Sequence, residues 1–207
     1  MLDQHGFDLW ADGYDQSVRL SEERDRYPFA GYRDVLNTIY RRIRAGEGRS
    51  VLDLGFGTAV LTKRLYDDGI AITGVDFSQK MIDIAQEKMP QARLFQQDLT
   101  QGLPLALNGE RFDFIVCTYA IHHLTDDRKA AFLVHLRTHL NPGGEILLGD
   151  VAFETQADQA ACQAESGEEW DEDESYMVME RLAPQIPGLR FQKRSTCAGV
   201  CVIPQNV

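Results

Sequence analysis

From position 50 onward, short runs rich in β-branched and aromatic residues alternate with longer stretches whose apolar positions recur at helical spacing. The short runs predict strands over 50–54, 70–76, 92–96, 112–118 and 144–150, and the stretches between them predict helices over 58–68, 78–88 and 126–140. Such alternation builds a parallel sheet covered by helices. Gly69, Pro90, Gly109 and the run Asn141-Pro142-Gly143-Gly144 supply the helix stops and turns. Upstream, Pro28 stands where a helix can begin, and Val35, Leu36, Ile39, Tyr40 and Ile43 recur at helical spacing up to Arg44. Downstream, 156–163 and 176–182 read as helices, and 189–203 as two strands meeting at Ala198-Gly199. With no internal repeat, the pattern predicts one domain: a helical cap over 1–46, a core over 47–152, and an insert with C-terminal strands over 153–207.

The chain has 207 residues, 43% of them apolar, enough to bury a full core. Its 21 Lys and Arg against 32 Asp and Glu leave a net charge of −11. Ten of the acids, and no Lys or Arg, lie between Glu154 and Glu180, so a near-neutral body carries one acidic stretch. That balance argues against a nucleic-acid or anionic-membrane surface, which needs clustered cations, and the short run Arg41, Arg42, Arg44 and Arg49 is too small to reverse it. Apolar runs stay at strand length, far below the roughly 20 residues of a membrane span. The first fifteen residues lack the basic-then-apolar order of a secretory signal. Four cysteines without a CxxC fit a reducing, cytoplasmic setting with the thiols as apolar filling.

The chemistry begins at Asp53-Leu54-Gly55-Phe56-Gly57-Thr58-Ala59, where the first strand gives way to a helix. Glycines there let the backbone approach a ligand, and a helix start offers free N–H donors. The dinucleotide fingerprint GxGxxG fails, because Val60 stands three residues beyond Gly57. Asp76 ends the second strand 21 residues after Gly55, where an acid in such folds accepts ribose hydroxyls, and Asp98 follows the third strand. Three carboxylates at successive strand ends line one crevice.

Taken with VDFSQKMIDIAQEK, QQDL, FDFIVCTYAIHHL and LNPGGEILLGD, this segment resembles the class I, Rossmann-like S-adenosylmethionine-dependent methyltransferases over about residues 47–152. The resemblance implies an α/β three-layer sandwich with a mostly parallel seven-stranded sheet and an antiparallel C-terminal strand. It places Asp53 by the methionyl amino group, the loop of Gly55, Phe56, Gly57, Thr58 and Ala59 under the cofactor, and Asp76 on the ribose. Asp98 meets the adenine amino group, Phe77, Met81 and Leu99 form apolar walls, and Thr118 borders the cofactor. Ala59 departs from the usual Gly, which a helical backbone would tolerate. Phe7-Asp8-Leu9-Trp10-Ala11, Tyr14-Asp15, Trp170-Asp171-Glu172-Asp173 and Cys197-Ala198-Gly199-Val200 extend the likeness to a group of small, poorly characterised bacterial methyltransferases.

Methyl transfer from a sulfonium is an in-line displacement, in which alignment is worth about 7–11 kcal/mol and a positioned base 10²–10⁴ in rate. His122 and His123 follow the fourth strand and are the base candidates. Relatives acting on small amines point to His123, before Leu124, and to Tyr14, which also lies near the methionyl carboxylate. Trp10, Tyr119, Asp150 and Trp170 are the expected substrate contacts. No metal is expected, since adjacent histidines seldom aim at one ion. The acidic stretch is either a solvated loop or a cover over the pocket that favours a cationic or amine-bearing acceptor. A noncatalytic cofactor-binding or interaction module, a nicotinamide oxidoreductase and a tRNA methyltransferase stand as alternatives to a small-molecule methyltransferase.

Overall fold

The computed structural model describes residues 26–206. Seven strands are hydrogen-bonded in the order β3-β2-β1-β4-β5-β8-β7, with β1 at Ser50–Leu54, β2 at Ala71–Asp76, β3 at Arg93–Gln96, β4 at Phe112–Thr118, β5 at Leu140–Phe153, β7 at Arg190–Lys193 and β8 at Ala198–Pro204. β1 to β5 are parallel, and β8 runs antiparallel to both β5 and β7. An eighth strand, β6 at Met177–Val178, pairs in parallel with the end of β5.

Alternation along the strands sorts the core into two layers. Val51, Phe114, Val116, Leu147 and Val200 face α1 (Tyr32–Ala45), α2 (Val60–Asp67) and α3 (Gln79–Lys88). Leu52, Leu54, Ile115, Cys117, Leu148 and Cys201 face α4 (Asp126–Leu136) and the single turn α6 (Met179–Leu182). α1 packs close to the sheet because Val35 and Ile39 occupy the space a side chain at position 149 would need, and that position is Gly149. A third, smaller cluster of Tyr27, Val151, Phe153, Tyr176, Val178 and Cys197 lies beyond the main sheet, with Cys162 and Trp170 packed against it.

Several sequence expectations change. The segment 176–182 is not one helix: Tyr176, Met177 and Val178 are all buried, and pairing Met177 to Ala152 and Val178 to Phe153 overrides their helical spacing. β5 accordingly runs on to Phe153, three residues past its expected end, and it starts early at Leu140 after α4 closes in a 3-10 turn over Arg137–His139. β7 and β8 join through 194–197, and Gly199 lies inside β8, where the Phe191 ring covers it. Pro28 precedes the helix, which begins at Tyr32 after Gly31 with φ 73. The acidic stretch is ordered: α5 (Gln156–Ser166) starts with a capping box of Thr155 and Asp158, and Glu180 accepts the Gln156 N–H at 2.8 Å. All four cysteines are free, and no helix among the described residues is long and apolar enough to cross a membrane.

One buried cation ties the insert to the sheet. Lys129 on α4 is fully buried, and its Nζ donates to the Leu124 carbonyl at 2.6 Å, to the Ser175 carbonyl and to Asp126 at 3.4 Å. Lys129→Met keeps the length and removes every donor, leaving two carbonyls unanswered. It should cost about 2–4 kcal/mol of unfolding free energy by urea titration; a loss under about 0.5 kcal/mol would show that the clamp contributes little.

Candidate active site

Where β1 ends, Gly55 turns the chain at φ 72 and donates its N–H to the Val75 carbonyl at 2.7 Å; a Cβ there would collide with Ala120. Gly57 follows at φ 54, and no atom lies within 4 Å of where its Cβ would be, so the loop opens onto space. Asp76 holds the loop in place, its Oδ2 accepting the Gly57 N–H at 2.9 Å and its Oδ1 the Ser78 N–H at 3.0 Å. Ala59 is left-handed, φ 62 and ψ 34, rather than helical as its tolerance required, which costs roughly 1–2 kcal/mol for a residue with a Cβ.

Behind the loop Asp53 is buried. Its Oδ2 accepts the Thr62 hydroxyl, and its Oδ1 has no partner among the described residues. Burial pushes its carboxyl up to about 7, the Thr62 hydrogen bond pulling it down and the Asp76 charge adding to the rise. Asp98 caps a 3-10 turn over Leu99–Gln101 by accepting the Thr100 N–H at 2.8 Å.

Past β4 the chain makes another 3-10 turn, Ile121–His123. His122 is buried with Nδ1 2.8 Å from Asp150 Oδ1 and Nε2 3.4 Å from Glu174 Oε1. Burial opposes its charge, but the Asp150 and Glu174 carboxylates prevail and raise its pKa. His123, its ring centroid 4.3 Å from that of His122, is driven down to about 4 by burial and by the His122 charge. Glu174 Oε2 accepts the Tyr176 hydroxyl at 2.7 Å, Tyr176 and Tyr27 are bonded through their hydroxyls, and Tyr27 Oη accepts the Asp171 N–H at 3.1 Å. Donor atoms of His122, His123 and Glu174 lie within 4.8 Å of one another, so the acidic stretch brings the adjacent histidines a third potential metal ligand from distant sequence.

The glycine loop, Asp53, Asp76, Asp98, His122, His123 and Glu174 border a cleft of about 930 Å³, near the upper end of the roughly 300–1,000 Å³ usual for ligand sites. The sequence profile of a methyltransferase domain matches residues 51–144. An uncharacterised methyltransferase of Anoxybacillus flavithermus is 33% identical over 200 residues, spanning 97% of this chain and 91% of the relative. The chain belongs to the S-adenosylmethionine-dependent methyltransferases. A second uncharacterised methyltransferase, from Geobacillus sp. strain WCH70, is 38% identical over 158 residues, covering 76% of this chain and 71% of its own. In fold, the methyltransferase is similar to the S-adenosylhomocysteine complex of DhpI, with a TM-score of 0.67 at 21% identity over 99% of this chain and 96% of that one. It is equally similar to the S-adenosylhomocysteine-bound magnesium protoporphyrin IX methyltransferase of Synechocystis, TM-score 0.67 at 19% identity over 95% and 96%.

Most of the residues singled out in the methyltransferase's sequence border this cleft: Asp53, Gly55, Phe56, Gly57, Thr58, Asp76, Phe77, Met81, Asp98, Leu99, Thr118, Tyr119, His122 and His123. Ala59 lies behind the loop, outside the lining. Asp150 is fully buried behind His122, where Oδ1 also accepts the Val151 N–H at 2.7 Å; because β5 overshoots, it is an interior strand residue paired with Gly199 instead of a strand end facing substrate. Trp170 stacks on Tyr27, centroids 5.1 Å apart, and props the cover from outside the cleft. Trp10 and Tyr14 lie outside the described residues. Of the acidic neighbours of Trp170 expected over the pocket, Asp171 borders the cleft and Glu172 and Asp173 do not; sequence reasoning missed Tyr27, Glu169 and Glu174, the two glutamates because nothing in the acidic run separates them from its other acids.

Two outcomes follow from the loop. Ala59→Gly relieves the left-handed strain and should raise unfolding free energy by about 1 kcal/mol in urea titration; a destabilised variant would contradict the assigned backbone. Asp53 keeps its proton longer folded than unfolded, so its stabilising contribution is whole below about 3.9, the ordinary aspartate value, and is lost as pH rises through about 7. Stability of the ligand-free protein should therefore fall across that window, and Asp53→Asn should flatten the fall; an equal slope in the variant would assign it to other groups.

Proposed function

We propose that this methyltransferase transfers the methyl group of S-adenosylmethionine to a small molecule bearing an amine or another positive charge. The observation that carries the reading is the distribution of charge in the cleft: Asp53, Asp76, Asp98, Glu169, Asp171 and Glu174 border it, and among the described lining residues there is no Lys or Arg. Polyanionic acceptors such as tRNA need the opposite. The cleft's size supports a cofactor and a second small reactant side by side.

When bound, S-adenosylmethionine supplies an electrophilic methyl on a sulfonium. The unpartnered Asp53 Oδ1 is suited to a methionyl ammonium, whose arrival would pay for ionising that buried carboxyl. Both oxygens of Asp76 accept backbone N–H groups yet keep lone pairs for ribose hydroxyls. Gly57 gives the backbone room to approach, Thr58 and Phe56 continue the loop, and Phe77, Met81, Leu99 and Asp98 suit an adenine ring and its amino group, while Thr118 borders the cleft at the end of β4. At the other end, Phe29, Tyr32 and Tyr119 offer ring faces beside the carboxylates, an arrangement that favours cations. His123 is an imidazole that can accept a hydrogen bond from the acceptor, and its low basicity makes it a poor proton store. Alignment within this walled cleft is the larger catalytic contribution.

Asp76→Ala should weaken S-adenosylmethionine binding at least about 100-fold by calorimetry, since it removes the ribose partner and releases the loop together. Incubating the protein with methyl-labelled cofactor and a fractionated metabolite extract should put label into a small product retained on a cation exchanger. Label found only in RNA, protein or neutral metabolites would sink the reading.

A further inference from the structure

We propose that Glu174, from the acidic stretch, is the catalytic base that receives the acceptor's proton, and that His122 and Asp150 are the positioning residues that hold it. The inference rests on the amine-acceptor reading above and names the group that serves it.

The geometry removes the nearer candidates. Both nitrogens of His122 face carboxylates, Nδ1 toward Asp150 at 2.8 Å and Nε2 toward Glu174 at 3.4 Å. With both nitrogens turned to carboxylates, neither faces an acceptor in the cleft, and those charges raise the ring's pKa against its burial. A proton on His123 would place a second cation beside it, ring centroids 4.3 Å apart. Asp150 is fully buried behind His122 and outside the cleft lining. Glu174 lines the cleft and is fixed from every side: Tyr176 donates to Oε2 at 2.7 Å, the Ser175 N–H donates to the His122 carbonyl at 2.9 Å, and Lys129 grips the Ser175 carbonyl. Each carboxylate oxygen keeps a lone pair for the acceptor. Burial raises its pKa, with His122 and Tyr176 working against the rise, which brings its basicity toward that of a useful proton acceptor.

The charges balance through the step. The acceptor arrives as an ammonium opposite the Glu174 carboxylate. One N–H bond of that ammonium breaks and its proton passes to a Glu174 oxygen, freeing the nitrogen lone pair. The lone pair forms the N–C bond to the sulfonium methyl as the C–S bond breaks, its electrons staying on sulfur as a neutral thioether. The product leaves as a methylated ammonium, and Glu174 returns its proton to solvent, one per turnover.

The test uses methyl-labelled S-adenosylmethionine with three probe amines: 2-phenylethylamine, histamine and putrescine. Wild type should methylate at least one of them, and Glu174→Gln should lower kcat at least about 100-fold with S-adenosylhomocysteine affinity within threefold of wild type. Glu174→Ala should be rescued at least tenfold by added formate, which a purely structural role would not allow, and Glu174→Asp should retain intermediate turnover. Full turnover by Glu174→Gln, or no formate rescue, overturns the base while leaving the amine reading intact. Failure of wild type to methylate any of the three overturns both. One equivalent of Zn²⁺ bound below micromolar concentration, and lost in His123→Ala, would assign the cluster to a metal ion and likewise overturn the base.

Discussion

β1 and β4 are hydrogen-bonded neighbours, but the helices that follow them, α2 and α4, pack on opposite faces of the sheet. No crossover spans the gap above that pair, so the C-terminal ends of these strands border a crevice the fold cannot close. The rest of the site follows from this topological fact. Gly55 and Gly57 turn the chain along the rim, Asp76 bonds the turn from the neighbouring strand, and Asp53 is left buried with one oxygen unanswered. An ionised carboxylate in that position is expensive without a partner. Burial accordingly pushes that carboxyl up to about 7, so the proton relieves the cost in the ligand-free protein.

The far wall of the crevice is supplied by a different device. β5 runs past the other parallel strands to Phe153, and its overshoot supports β6 and the small cluster around Tyr27 and Tyr176. Asp150, His122, Glu174, Tyr176 and Tyr27 then form a continuous chain of polar contacts from the sheet to the segment before α1. Lys129 anchors that chain from below. In the acidic stretch Glu169, Asp171 and Glu174 border the cleft, while Asp158, Glu172 and Glu180 bond within or beside α5.

β1, β2 and β4 were legible to within a residue, because each is a short run of β-branched and apolar residues, bounded in β1 by Gly55 and in β2 by Asp76. The loop and its three acids were legible for the same reason: backbone geometry there demands particular residue types. What failed was set by tertiary pairing. Tyr176 to Leu182 has helical spacing, yet the free edge left by the β5 overshoot captures two of its residues as strand. The same overshoot moved Asp150 from an apparent strand end into the interior. Ala59 shows the reverse limit: the Gly usual at its position was the mark of a left-handed backbone, and the expectation of a helical alanine passed over it. Glu174 was invisible for a statistical reason: one acid among ten carries no mark until the fold brings His122 to it.

Charge links the two ends of the cleft. A sulfonium and an ammonium bound side by side would repel, and the low dielectric of a closed site would strengthen the repulsion. The carboxylates offset it, Asp53 and Asp76 at one end and Asp171 and Glu174 at the other. With the amine acceptor proposed above, methyl transfer would turn the sulfonium neutral and leave the positive charge on the new ammonium. Among the described lining residues no Lys or Arg supplies a fixed countercharge, so the carboxylates alone would answer that rearrangement of charge.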